Sequence, residues 1–114
     1  MTVKEKTLPP VKAAEYIASI AQHVSSVCVI TTEFQGERFG LTATAVSSVS
    51  ADPPRLLVCI NKTGATHDKI LAAGHFAVNV LGENQDDLAK VFAGMGGTKK
   101  DRFSAGQWRM AATG

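Results

Sequence analysis

Only two cysteines occur in 114 residues, Cys28 and Cys59. They stand far apart, each inside an apolar run, without the paired spacing of a zinc site or a redox motif. Both read as buried, reduced thiols, which places the protein in the cytoplasm. Charge is also sparse: 12 Lys and Arg against 10 Asp and Glu leave a net charge of +2. That excess is too small to argue for nucleic acid. The basic residues are scattered, with Lys99, Lys100 and Arg102 the one tight group. No apolar run approaches the roughly 20 residues that a membrane helix needs. The start, MTVKEKTLPP, carries charge but no following apolar region, so it is not a secretory signal. There is no internal repeat.

Catalytic signatures are missing as well. His23, His67 and His75 are too far apart in sequence to form a metal-binding pair. No G-x-S-x-G elbow and no G-x-G-x-x-G after a strand is present. The carboxylates show no isolated pair in an apolar setting. A chain with no such nucleophile, base or metal cluster can still be an enzyme if a cofactor carries the chemistry.

What is present suits one small globular domain with a single core, at 45% hydrophobic and 19% charged residues. Residues 1–10 read as a flexible lead-in and 11–114 as the domain. Ala13, Tyr16, Ile17, Ile20, Ala21 and Val24 recur at helical steps, which predicts an amphipathic packing helix over roughly 11–23, opened by Pro9 and Pro10. Val27–Thr32 predicts a buried strand and Glu33–Arg38 a polar turn around Gly36. A second strand from Phe39 completes an antiparallel hairpin. Arg55–Asn61 predicts a third buried strand. Thr66 suits the N-cap of a short helix that ends before Gly74. His75–Leu81 predicts a fourth strand, and Asn84 a second cap, with Leu88, Val91 and Phe92 on one apolar face and Gly94 beyond it. Strands joined by short turns, with helices inserted late, argue for a mainly β fold with some α, an antiparallel sheet or barrel.

The most informative stretch is Gly40 to Pro54, GLTATAVSSVSADPP. It is poor in bulky side chains and rich in hydroxyls. Leu41, Ala43 and Ala45 alternate with Thr42 and Thr44, but the parity switches at Val46 and again at Val49. A period of two that breaks inside a strand predicts a bulge or bend near Ser47–Ser48, whose unpaired backbone groups can face a ligand. Two other segments can bind an anion: Asn61-Lys62 with Thr66-His67, at a helix start, and Lys99, Lys100 and Arg102. Each has a plain structural alternative. Hydroxyls often form a strand's solvated face, a Thr caps a helix without any ligand, and paired lysines are commonly just solvated.

Together these residues form a pattern. Thr42-Ala43-Thr44-Ala45, Ser48-Val49-Ser50, Asp52-Pro53-Pro54, Cys59-Ile60-Asn61, Thr66-His67, Phe76 to Leu81 and Asp101-Arg102-Phe103 follow one another in order. From about Val24 to Trp108 the chain resembles the short-chain flavin reductase family, including the reductase components of two-component flavin monooxygenases. The resemblance implies an FMN-binding split β-barrel and NADH- or NADPH-dependent reduction of FMN or FAD. Reduced flavin would then pass to a partner monooxygenase. It implies a homodimer with flavin near the subunit interface. Carried over by position, Thr42, Ala43, Thr44 and Ala45 would lie along the isoalloxazine and ribityl chain. Ser47, Ser48, Val49 and Ser50 would supply hydroxyl and amide contacts, and Cys59, Ile60 and Asn61 would continue that wall. Lys62, Thr66 and His67 would sit near the phosphate, and Arg102 and Phe103 would close over the cofactor. No catalytic side chain and no metal ligand is implied, since hydride transfer is borne by the cofactor. Donors placed beside the flavin's N1 and C2 oxygen would stabilise the charge that reduction brings there. The family domain runs further past Trp108, so the resemblance also implies that this chain covers only its N-terminal portion. Two other readings stay open: a non-catalytic flavin- or haem-binding split-barrel protein, and an inactive oligomeric fragment.

Overall fold

The structure, a computed structural model, describes residues 7–95 and 101–112. Lys99, Lys100 and the first six residues of the lead-in lie outside the described residues. Among the described residues three helices and five strands follow in the order α1 (Ala13–Ile20), β1 (Cys28–Phe34), β2 (Glu37–Ala43), β3 (Val46–Ala51), β4 (Pro54–Val58), α2 (Ala65–Ala73), β5 (Ala77–Val80) and α3 (Asp86–Phe92). A 3-10 turn covers Arg102–Ser104. Among the described residues one sheet has the order β2-β1-β5, and β3 and β4 form a separate ribbon. All three pairings are antiparallel.

The hairpin expected around Gly36 is found, with a turn tighter than Glu33–Arg38: β1 runs on to Phe34 and β2 starts at Glu37. Phe34 pairs with Glu37, so two residues close the turn. Gln35 (φ 54°) and Gly36 (φ 78°) are both left-handed, the requirement of a type I′ turn, whose twist matches that of the strands. β1 lies in the middle of its sheet and buries both faces. Cys28 and Ile30 pack with Ala43 on one side, beneath Ile70 of α2 and Val46 and Val58 of the ribbon. Val29 packs with Phe92 and Phe103 on the other, against Leu88, Val91 and Trp108. A strand covered on both faces needs a continuous apolar run, which is why Cys28–Ile30 does not alternate; Val27, just before the strand, is exposed.

Several expectations are corrected. The first helix is shorter than 11–23, and none of its residues is buried. Its apolar stripe, Tyr16, Ile17 and Ile20, is exposed, so the periodicity is real but the packing partner is not among the described residues. The third strand ends at Val58, and Leu56 and Leu57 are exposed rather than buried, because a two-stranded ribbon covers neither of its own faces. β5 is confined to Ala77–Val80. Cys28 is buried but Cys59 is exposed, just past the end of the ribbon; both are free thiols. Neither predicted cap holds. Gly64 is the N-cap of α2, which puts Thr66 inside the first turn, and Gln85 rather than Asn84 precedes α3. Gln85 offers its Oε1 to the amide of Gly82 instead, at 2.7 Å.

The second strand does not run on through the hydroxyl-rich stretch. β2 stops at Ala43, the chain turns at Thr44–Ala45, and β3 starts in the other sheet. The Val46 amide donates to the Thr44 carbonyl (3.0 Å) across that turn. The parity switch at Val46 therefore marks a change of sheet. The irregularity predicted near Ser47–Ser48 is found one step on. Ser48 pairs with Leu56 and Ser50 with Arg55, which leaves Val49 as the extra residue.

The alternation before the break is structural. Leu41 and Ala43 face the core, and the Thr42 hydroxyl donates to the Ala89 carbonyl of α3. That carbonyl also accepts the Ala93 amide, so it stays satisfied without the threonine. Thr42→Val, which keeps the shape and removes the donor, is expected to cost about 1 kcal/mol in urea unfolding. A change below a few tenths of a kcal/mol would mean the bond holds nothing.

Candidate functional site

Turns and strand ends, rather than strand centres, present most of the candidate residues. Thr44, Ala45 and Ser47 line a groove of about 740 Å³ together with Cys59 and with Tyr16 and His23 from the first helix and the segment after it. The Cys59 amide donates to the Ala45 carbonyl (3.0 Å), which holds the ends of the ribbon together at this groove. Thr44, Ser47 and Ser48 are exposed, and Ser50 is half-buried. The Ser47 hydroxyl has only a long bond to the Ser48 carbonyl, 3.3 Å. These oxygens and the backbone around Val49 are the least committed polar groups of the stretch. Ala45 adds no bulk, so a flat ligand can approach the ribbon backbone closely.

The loop before α2 folds on Asn61. Its Oδ1 accepts from the amide (3.0 Å) and the hydroxyl (2.9 Å) of Thr63, an Asx turn that leaves the side-chain amide nitrogen to face outward. Lys62 is exposed. His67 points its Nδ1 at Asp68 Oδ1, 3.0 Å away.

A second cleft, of about 640 Å³, opens between β2, the start of α2 and the Asp101–Phe103 segment. Thr66, Arg102 and Phe103 meet there, with Arg38 and Asp101 beside them. Thr66 is buried, and its hydroxyl donates to the Gly40 carbonyl at 3.5 Å. Arg102 Nη1 donates to the same carbonyl (3.0 Å) and to that of Phe92 (3.1 Å). Asp101 Oδ1 accepts the Phe103 amide at 3.0 Å. The Phe103 ring lies inside an aromatic cluster, 5.1 Å from Phe92 and 5.0 Å from Trp108, with the Arg38 guanidinium 4.8 Å from its centre.

The sixteen candidates thus separate. Thr44, Ala45, Ser47 and Cys59 share the first groove, and Thr66, Arg102 and Phe103 the second. Ser48, Val49, Ser50, Asn61, Lys62 and His67 line neither of these two spaces. Ala43 and Ile60 belong to the core cluster around Ile30, and Thr42 to the seam with α3. Sequence reasoning missed Tyr16, His23, Arg38 and Gly40. The stripe on the first helix was a usable signal for Tyr16. Arg38 reads as ordinary turn polarity, and nothing in the sequence marks it.

Comparison with known proteins places this arrangement. A curated relative named FMN reductase (NADH) RutF, from Methylorubrum extorquens, is 44% identical over 115 residues, covering 100% of this chain and 56% of the relative. A protein of the same name from Pseudomonas syringae pv. syringae is 40% identical over 108 residues, covering 92% of this chain and 60% of its own length. The chain therefore spans little more than half the length of these relatives. Among solved structures, a nitrilotriacetate monooxygenase component B homologue from Mycobacterium thermoresistibile superposes with a TM-score of 0.80 at 30% identity, covering 89% of this chain and 55% of the other. The open three-stranded sheet and separate ribbon are a partial form of the split barrel that the sequence resemblance implied. Residues 20–114 match the flavin reductase like domain, and the chain belongs to that family.

Proposed function

We propose that this chain forms the flavin-binding part of an NADH-dependent FMN reductase. The observation that carries the proposal is the β3–β4 ribbon: exposed hydroxyls, a small residue at the turn into it, and an extra residue at Val49 occur together on a ribbon that meets the core only through Val46 and Val58. Such a donor set fits a planar, multiply hydrogen-bonding ring system. The names of the curated relatives support FMN and NADH as the pair.

Thr44, Ala45, Ser47, Ser48, Val49 and Ser50 form the wall against which the isoalloxazine lies, continued by Cys59 and the amide of Asn61. Lys62, Thr66 and His67 stand at the phosphate end. Arg102 and Phe103, which line the second cleft with Thr66, close over the cofactor from that side. Ala43 and Ile60 support the ribbon wall from behind, and Thr42 ties β2 to α3. When bound, flavin supplies the redox chemistry, taking two electrons from the reduced nicotinamide. The chain's own residues bind and orient: fixed hydroxyl and amide donors favour the more negative form of the ring, and small side chains leave room for the nicotinamide to stack.

The exposed apolar residues of the first helix (Tyr16, Ile17, Ile20) and of the ribbon (Val49, Leu56, Leu57) support assembly as a homodimer, in which a second copy covers them. The resemblance to a monooxygenase component B homologue supports delivery of reduced flavin to a partner oxygenase. Two free thiols support a reducing, cytoplasmic setting.

A steady-state assay crossing NADH and NADPH with FMN and FAD tests the proposal. NADH oxidation is expected to rise with added FMN, and Ser47→Ala with Asn61→Ala is expected to raise the KM for FMN by about tenfold, as loss of two ligand hydrogen bonds implies. Flavin uptake without NADH oxidation would instead support a binding module. A preference for FAD or NADPH would reassign the cofactor pair.

A further inference from the structure

The Gly40 carbonyl joins three parts of the chain that are distant in sequence. It accepts from Arg102 Nη1 at 3.0 Å and from the Thr66 hydroxyl at 3.5 Å, using both lone pairs of one oxygen. We propose that Arg102 is a positioning residue: by gripping the Gly40 carbonyl it sets where Thr66 stands, and so controls how firmly the cleft between β2 and α2 holds the polar end of the flavin. This rests on the flavin reading given above.

Three observations carry the inference. First, the two bonds are unequal. The guanidinium bond is of ordinary length and charge-assisted, whereas the hydroxyl bond is at the limit of length, so the arginine fixes the carbonyl and the threonine follows it. Secondly, Arg102 spans a seam. The same Nη1 reaches the Phe92 carbonyl (3.1 Å), at the last residue of α3, where helix carbonyls lack partners of their own. Thirdly, the seam is closed as far as chemistry allows. A Cβ on residue 40 would lie 2.6 Å from Phe92 Cε1, so glycine permits an approach of β2 to the Phe92 ring that no other residue does. Thr66 has little room to move independently, being 7% exposed. A shift of the carbonyl is therefore passed to the start of α2 rather than absorbed by the side chain.

The competing role for Arg102 is a direct ion pair with the ligand. The two differ in what they couple to. A positioning role acts through Thr66 and is insensitive to salt, whereas an exposed ion pair is screened. The test uses the full chain with Arg102→Met, Arg102→Lys, Thr66→Val and the Arg102→Met/Thr66→Val double variant. FMN binding is titrated by flavin fluorescence at several salt concentrations, and amide hydrogen exchange at 65–68 is followed without ligand. Arg102→Met is expected to weaken FMN binding by about tenfold, the equivalent of one charge-assisted hydrogen bond. The double variant is expected to bind no more weakly than Arg102→Met alone, because both residues act by one route. The salt slope is expected to stay as in the unsubstituted chain, and exchange at 65–68 to quicken. Additive losses, a flattened salt slope, or unchanged exchange would overturn the inference. If Arg102→Met does not fold, Arg102→Lys carries the comparison through exchange: both carbonyls are held by Nη1 alone, so affinity and exchange at 65–68 are expected to move together in it, and weakened binding with unchanged exchange counts against positioning. If the unsubstituted chain binds no FMN, the flavin reading falls alone, and the exchange at 65–68 still decides whether Arg102 governs Thr66.

Discussion

Replacing Phe92 with alanine is expected to lower the unfolding free energy by about 3–5 kcal/mol, the range for emptying a large aromatic site in a packed core. Phe92 is 1% exposed and stands at the centre of the smaller core cluster. Its ring meets Phe103 edge-on at 5.1 Å and Trp108 at 5.3 Å, and Val29 of the central strand lies beneath it. The cavity cannot readily close. Phe103 is held by the Asp101 carboxylate through its amide, and Trp108 by an indole bond of 2.6 Å to the Ala105 carbonyl. A domain of this size has a total stability of the same order, roughly 5–15 kcal/mol, so Phe92→Ala takes away much of it. The same ring explains Gly40. Gly40→Ala by itself is expected to cost about 1–3 kcal/mol, because its Cβ would fall 2.6 Å and 2.9 Å from the ring carbons of Phe92. In the Phe92→Ala background the ring clash is gone and only the Ile30 carbonyl oxygen, 3.2 Å from that Cβ, stays close, so the glycine substitution should cost less than in the unsubstituted chain. Urea unfolding of the two single variants and the double variant measures this. Strict additivity would show that the close contact at Gly40 is not what limits the site.

Deleting Val49 is expected to reduce FMN-dependent NADH oxidation by about 100-fold or more, the scale at which a misplacement of about 1 Å already acts. Val49 is the residue left over between the Ser48–Leu56 and Ser50–Arg55 pairs. Without it the ladder becomes regular: Ser48 stays opposite Leu56 and Ser50 opposite Arg55, but the backbone groups freed at Val49 are lost and the strand loses its local bend, which moves Ser47 and Ser48 relative to Ser50. Stability should change far less, by about 1 kcal/mol at most, because Val49 is 61% exposed and lies outside both core clusters. The measurement is kcat/KM for FMN beside a thermal melt. Full activity in the deletion variant would remove the extra residue from the account of flavin binding, and collapse of the fold would show that it serves the barrel instead.

Much of this protein follows from its sequence. The first hairpin was legible because a polar segment around Gly36 follows the β-branched run Val27–Thr32, and a glycine there supplies the left-handed backbone that a tight turn needs. The irregularity in β3 was legible because alternation is strict in a strand, so a parity break must be answered by an extra residue or a bend. The chain of motifs from Thr42 to Phe103 was enough to place the family. Periodicity, however, reports only which side chains share a face. It does not report what lies against that face. Thr42, Thr66 and Arg102 read as donors for a ligand, yet in the folded chain each bonds a backbone carbonyl of a distant element. The stripe of the first helix and the Leu56-Leu57 pair read as core, yet they are exposed. A hydroxyl can serve a carbonyl or a ligand equally well, and an apolar stripe can meet its own core or another surface. For the three donors those choices are made by residues 26 to 62 positions away, and only the tertiary structure brings them together, Thr66 and Arg102 at Gly40 and Thr42 at Ala89.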